Sequence, residues 1–251
     1  MQKLSVIIIT YNEEHNITDC IESVKWADEI IVVDSNSNDN TIALAKKYTD
    51  KIFFVTNSSY SQSKNAGLDN AVNDWILSID ADERVTEELK NEICTAINNA
   101  DNIKAYFLNR KSFFISKFIK HCGWYPDYIL RLFRISAGIR FNDSKVHEKA
   151  EYSGKTGKLN ANLLHYTDLS FEHYWNKMNR YTSISAEELF AKKRKASFFD
   201  IIFRPAFAFF KMYFLKLGIL DGFTGLVLCT LSSVHVFVKY SKLYYLNNSG
   251  D

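Results

Sequence analysis

Asp80-Ala81-Asp82-Glu83 follows directly on the apolar stretch Trp75-Ile76-Leu77-Ser78-Ile79. In an extended segment residues i and i+2 face the same way, so Asp80 and Asp82 are expected to project together from the end of a buried strand. Two carboxylates held that close repel each other unless a cation sits between them. A hard divalent cation in such a place commonly carries a phosphate. The same acids fit a second reading, the start of the next helix, where negative charge suits the positive end of the dipole. The run by itself leaves both open.

The elements that must position these acids emerge from the apolar pattern. Leu4–Thr10 is a β-branched run of the kind buried on both faces of a parallel sheet. Glu13–Val24 carries Ile17, Cys20, Ile21 and Val24 at helical spacing, and Glu29–Asp34 is a second buried strand. Asn38-Asp39-Asn40 offers capping chemistry for a helix through Lys47. Lys51–Thr56 is a third strand, Gln62–Val72 a helix, and Asp74–Ile79 the strand that delivers the acids. This alternation implies a mostly parallel sheet flanked by helices, with ligands beyond the carboxyl ends of its strands. Thr10-Tyr11-Asn12-Glu13, Asp34-Ser35-Asn36-Ser37 and Asp80-Ala81-Asp82 all fall on that edge. No G-x-G-x-x-G follows the first strand and no G-x-x-x-x-G-K-[ST] occurs, which disfavours a dinucleotide-binding dehydrogenase or a P-loop enzyme.

Composition sets the outer bounds. The 251 residues are 47% hydrophobic and 24% charged, enough for one sizeable core with an appendage and unlike a disordered chain. A formal net charge of +2 gives no reason to expect nucleic acid as a partner. Cys20, Cys94, Cys122 and Cys229 form no C-x-x-C pair, so neither a zinc site nor a disulfide framework follows, and a reducing compartment is expected. The run Val6–Ile9 is too short for a signal-peptide core.

Val6-Ile7-Ile8-Ile9-Thr10-Tyr11-Asn12-Glu13-Glu14, Asp28-Glu29-Ile30-Ile31-Val32-Val33-Asp34-Ser35 and Trp75-Ile76-Leu77-Ser78-Ile79-Asp80-Ala81-Asp82-Glu83 together resemble glycosyltransferase family 2. Gln62-Ser63-Lys64-Asn65, Gly123-Trp124-Tyr125-Pro126-Asp127, Leu130-Arg131-Leu132-Phe133-Arg134, Val146-His147-Glu148 and Leu220-Asp221-Gly222 are similar to its lipopolysaccharide core β-1,4-glucosyltransferase branch. The resemblance implies a GT-A fold and metal-dependent, inverting transfer of a hexose, glucose by that branch, from a UDP-sugar. It implies residues 1–170 as the catalytic domain, with a nucleotide-sugar half at 1–100 and an acceptor half at 101–170, followed by a helical region at 171–251. It places Thr10, Tyr11 and Glu13 at the base and ribose, Asp34 on base or ribose, and Lys64 on donor phosphate or sugar. Asp80 then faces ribose and sugar, while Asp82 holds Mn²⁺ or Mg²⁺ on the diphosphate. Asn36-Ser37-Asn38 departs from the family, where many members carry glycine after the acid.

Inverting transfer needs a general base for the acceptor hydroxyl. Asp127, Asp143, His147 and Glu148 lie downstream. Glu148 resembles the family's base position, although a structural pairing with Arg131 or Lys145 is the competing reading. Asp127 is the runner-up, beside Trp124, which suits either sugar stacking or core packing. His165 resembles the late histidine that adds a metal ligand in several GT-A enzymes. Arg131 and Arg134 alternate with apolar residues and suit a basic edge for an anionic acceptor or the diphosphate, or simply a solvated strand.

Phe171–Lys195 reads as a helix ending in Lys192-Lys193-Arg194-Lys195, followed by a phenylalanine-rich amphipathic stretch that Pro205 kinks or restarts. Basic residues beside such a helix describe a protein lying on an anionic membrane. Ile219–Val238 approaches spanning length yet carries Asp221 and His235, which favours monotopic or re-entrant attachment, or a helix packed on its neighbours. With a lipid-linked or lipopolysaccharide acceptor, the expected location is the cytoplasmic face of the bacterial inner membrane. A sugar nucleotidyltransferase and a non-catalytic nucleotide-binding relative are the alternatives.

Overall fold

The computed structural model describes residues 2–56, 59–100, 102–142, 150, 152–168 and 170–248. Asp143, Lys145, His147 and Glu148 therefore lie outside the described residues.

The strands β1 (Leu4–Thr10), β2 (Glu29–Asp34), β3 (Ile52–Phe54) and β4 (Trp75–Asp80) alternate with α1 (Ile17–Val24), α2 (Thr41–Ala45) and α3 (Tyr60–Asn70). Then come β5 (Glu83–Val85), α4 (Glu87–Asn98), β6 (Ala105–Phe114), β7 (Lys117–Phe118), β8 (Asp127–Arg134) and β9 (Thr156–Asp168). Three helices, α5 (Phe171–Ala191), α6 (Phe198–Phe210) and α7 (Gly222–Asn248), close the sequence. Among the described residues the nine strands form one sheet in the order β3-β2-β1-β4-β8-β6-β9-β5, with β7 hairpinned onto β6. The first four strands pair in parallel, whereas β8 joins β4 antiparallel and β5 joins β9 antiparallel.

Alternation along β1 explains why this strand is central. Leu4, Val6 and Ile8 enter one core with Ile17, Ile21, Leu89 and Ile93, while Ile7 and Ile9 enter a second with Leu68, Ile76 and Phe133. A strand apolar at every position must be covered on both faces. The order of connections reverses between β1 and β4, which is where open sheets of this kind bind ligands. The register sets Thr10 opposite Asp34 and Ile9 opposite Asp80, so three strand ends meet at that point.

Several expected boundaries shift for local reasons. Residues before Ile17 form a turn, so α1 starts four residues later than the periodicity suggests. The acids do not start α4: Thr86 caps it by accepting from the Leu89 amide at 3.2 Å, and Glu87 and Glu88 occupy its first turn. His165 lies within the long strand β9 and pairs with Glu83. Helix α6 continues through Pro205, and α5 ends at Ala191.

Two compact units result, one of Met1–Arg110 with Asp127–His165, the other of Lys111–Pro126 with Tyr166–Asp251. In the second, Phe114, Ile119, Cys122, Leu228 and Cys229 make a small core, and the buried Asp221 carboxylate accepts from the His121 amide at 2.8 Å. Helix α7 packs along both α5 and α6.

Candidate active site

Asp80 ends β4 inside a set of opposed charges. Lys64 Nζ lies 3.1 Å from Asp80 Oδ1, and Arg131 Nη2 donates to Asp80 Oδ2 at 2.5 Å. Glu83 completes the set: its Oε2 accepts from the Asp80 amide at 2.9 Å and its Oε1 from Arg131 Nη2 at 3.2 Å. Lys64 is only 1% exposed and Arg131 and Glu83 are also buried, so three of the four charges balance away from water while Asp80 keeps an edge open to solvent. Burial by itself raises the Asp80 carboxyl, but Arg131 and then Lys64 outweigh it and hold the group well below the usual carboxylate range. Asp80 is thus a fixed, ionised acceptor at the strand end. Arg131 is organised by the same contacts, its guanidinium engaging both Asp80 and Glu83. Arg134 is likewise engaged, with Asp74 at 3.1 Å and the Trp75 ring at 4.7 Å.

Asp82 points elsewhere. Ala81 and Asp82 form a turn between β4 and β5, so the i, i+2 rule for extended chain does not apply, and the two aspartates engage different partners. Asp82 Oδ2 stands 3.2 Å from His165 Nε2, because the pairing of Glu83 with His165 brings the two segments together. Among the described residues no group of three His, Cys, Asp or Glu side chains is arranged to hold a metal. One carboxylate and one imidazole nevertheless fit Mn²⁺ or Mg²⁺ of the nucleotide-bound kind, in which phosphate oxygens and water complete the shell.

The β1–α1 and β2–α2 loops, where the base and ribose are expected, are tied to one another. The Asn12 amide donates to Ser37 Oγ at 2.8 Å and the Asn38 amide to Asn12 Oδ1 at 2.9 Å. The amides of Glu13 and Glu14 donate to Thr41 Oγ1 and Asp39 Oδ2. Asp34 is fully buried and accepts from the Ser37 amide at 2.8 Å and from the Ser37 hydroxyl. Asn36 adopts φ 64°, a left-handed conformation that asparagine tolerates without glycine. Burial raises the Glu13 carboxyl, the Asn16 amide opposes this, and the negative charge of Asp82 adds to it. Thr10 Oγ1 is buried with no hydrogen-bond partner among the described residues, while Tyr11 is 56% exposed beside it.

Residues 5–145 match the family model described as Glycosyl transferase family 2. An uncharacterized glycosyltransferase of Rickettsia felis is 33% identical over 255 residues, 97% of this chain and 90% of the relative. The chain belongs to glycosyltransferase family 2. The lipopolysaccharide core biosynthesis glycosyltransferase LpsC of Rhizobium meliloti is 29% identical over 96% of this chain and 92% of its own. Among solved structures, S. aureus TarS is similar at TM-score 0.49 and 19% identity, over 73% of this chain and 40% of that one. Family membership identifies the fold as GT-A and the protein as an enzyme, which removes the nucleotidyltransferase and non-catalytic alternatives.

In this glycosyltransferase Asp127 opens β8 and is held by Arg110, whose Nε and Nη2 donate to Asp127 Oδ2 at 2.9 and 2.8 Å. Trp124 packs edge-on to Phe114 at 6.0 Å and borders the small core of its unit. Arg110 does not figure in the sequence reading, and Glu83 and Ser37 figure there only as members of polar clusters, without a role of their own. The signals were present, an acid completing the Asp80 run and an arginine in the polar middle of a strand, but each is also ordinary surface chemistry.

Proposed function

We propose that this family 2 glycosyltransferase moves a hexose, glucose by its branch, from a UDP-sugar to a lipid-linked or lipopolysaccharide-core glycan with inversion, at the cytoplasmic face of the bacterial inner membrane. The observation that carries the reading is the Asp82–His165 pair standing at the edge where Asp80, Lys64 and Arg131 are already charge-balanced. The name of the Rhizobium meliloti relative favours the acceptor class.

Asp82 and His165 would hold Mn²⁺ or Mg²⁺, which when bound neutralises charge developing on the leaving diphosphate. Thr10 and Asp34 offer acceptors and a hydroxyl donor to base and ribose, Tyr11 an exposed ring, and Glu13 a carboxyl behind them. Asp80 accepts from ribose or sugar hydroxyls, and Lys64 keeps it ionised and aimed. Glu148 takes the proton from the acceptor hydroxyl as that oxygen bonds to the anomeric carbon and the bond to the diphosphate breaks. Asp127, already engaged by Arg110, is the second choice for the base, and Trp124 a stacking surface for the acceptor.

Purified protein should hydrolyse or transfer from a UDP-sugar only with Mn²⁺ or Mg²⁺, and Asp82→Ala should abolish this. Full activity in EDTA would overturn the metal assignment. Glu148→Gln should retain donor binding and lose transfer; unimpaired transfer would move the role to Asp127.

A further inference from the structure

The second unit leaves a broad apolar face uncovered. Phe199, Phe203, Phe207 and Phe210 line α6 at helical spacing, each about half or more exposed, with Phe203 at 60%. The face continues through Phe214, Leu215, Leu217, Ile219 and Leu220 of the turn to Phe223 of α7, which is 80% exposed. Monomeric soluble proteins rarely expose a contiguous apolar patch of this extent. Charge supplies the second observation. Lys192, Lys193, Arg194 and Lys195 immediately precede α6 and Lys211 and Lys216 lie within the turn, all exposed, whereas the one acid of α6, Asp200, is engaged by Arg204. Aromatic residues edged by cations match the headgroup boundary of an anionic bilayer.

Gly218–Asn248 is long and apolar enough to cross a membrane. Its packing argues against crossing. Lys242 Nζ donates to the Asn179 carbonyl, Asn179 Oδ1, Thr182 Oγ1 and Ser183 Oγ, all on α5, at 2.7–2.9 Å. Ser233 Oγ donates to the Pro205 carbonyl at 2.8 Å, fastening α7 to α6. A spanning α7 would have to shed these bonds or draw α5 into lipid with Glu172, Lys177, Arg180 and Glu187. Unpaired charges there are costly.

We propose that α6, the turn after it and the first turns of α7 form a hairpin lying in the plane of an anionic bilayer, with Lys192–Lys195 on the headgroups, and that α7 does not cross. This deepens the lipid-linked reading of the acceptor and rests on it for its purpose, although not for its test.

Full-length protein is floated with sealed phosphatidylcholine vesicles, with and without phosphatidylglycerol. Binding should require phosphatidylglycerol, and replacing Lys192, Lys193, Arg194 and Lys195 with Gln should weaken it by about tenfold or more. Phe199→Ser with Phe203→Ser and Phe207→Ser should abolish it while thermal unfolding and UDP-sugar hydrolysis stay as in the wild type. A protease added outside should remove a tag placed after Asp251 from every bound molecule. Equal binding to neutral vesicles, a protected tag, or no vesicle binding together with a dimer that the triple variant dissolves would each overturn the proposal. Loss of hydrolysis in the wild type, with vesicle binding intact, would count against the glycosyltransfer reading alone.

Discussion

At the scale of residues, the site separates two aspartates that the sequence sets side by side. Asp80 is neutralised by protein cations and Asp82 faces a histidine, so their substitutions should differ in kind. His165→Ala should weaken Mn²⁺-dependent nucleotide binding, measured by calorimetry, without lowering stability; Asp80→Asn should disturb the buried charge set and lower both. Arg131→Met leaves Glu83 buried with its nearest remaining cation, Arg110, at 3.8 Å. Removing one partner from such a cluster costs about 3–5 kcal/mol, which urea unfolding would register. The sequence displayed the acids plainly but not their directions. Those depend on a two-residue turn and on a strand pairing between positions 83 and 165, and no local pattern encodes either.

At the scale of elements, β1 and β2 were legible because a fully buried parallel strand needs an unbroken apolar, largely β-branched run, and Leu4–Thr10 and Glu29–Asp34 fall where the pattern puts them. The antiparallel half was less so, since its strands mix polar and apolar residues and its neighbours are set by long-range pairing. Close approach of α3 to β1 gives a test: a Cβ on Gly67 would meet Ile7 Cγ2 at 2.3 Å. Gly67→Ala should therefore destabilise by about 1–3 kcal/mol, and by less than the sum when combined with Ile7→Ala. Helix α6 carries an acid-sensitive cap. Asp200 is lowered from 3.8 to about 2, first by the Ser197 amide and then by Arg204. A depressed folded-state value contributes stability fully above the unfolded value and loses it as pH falls toward the folded one. Unfolding midpoints should thus drop between about pH 4 and pH 2, and Asp200→Asn should remove that part of the dependence.

For the whole molecule, function was more legible than attachment. Three polar clusters on one sheet edge announce a ligand, whereas a phenylalanine-rich segment reads equally as core or as membrane surface until its exposure is known. A panel of nucleotide-sugars with Mn²⁺ should single out the donor by thermal shift, a hundredfold excess over Kd adding about 2.7 kcal/mol. The bonds exchanged between the Asn12 and Ser37 loops have their own consequence. A rim already fastened to itself has little disorder to lose when a nucleotide arrives. Amide exchange at Asn12, Ser37 and Asn38 should be slow before any nucleotide is added, and binding should change it little.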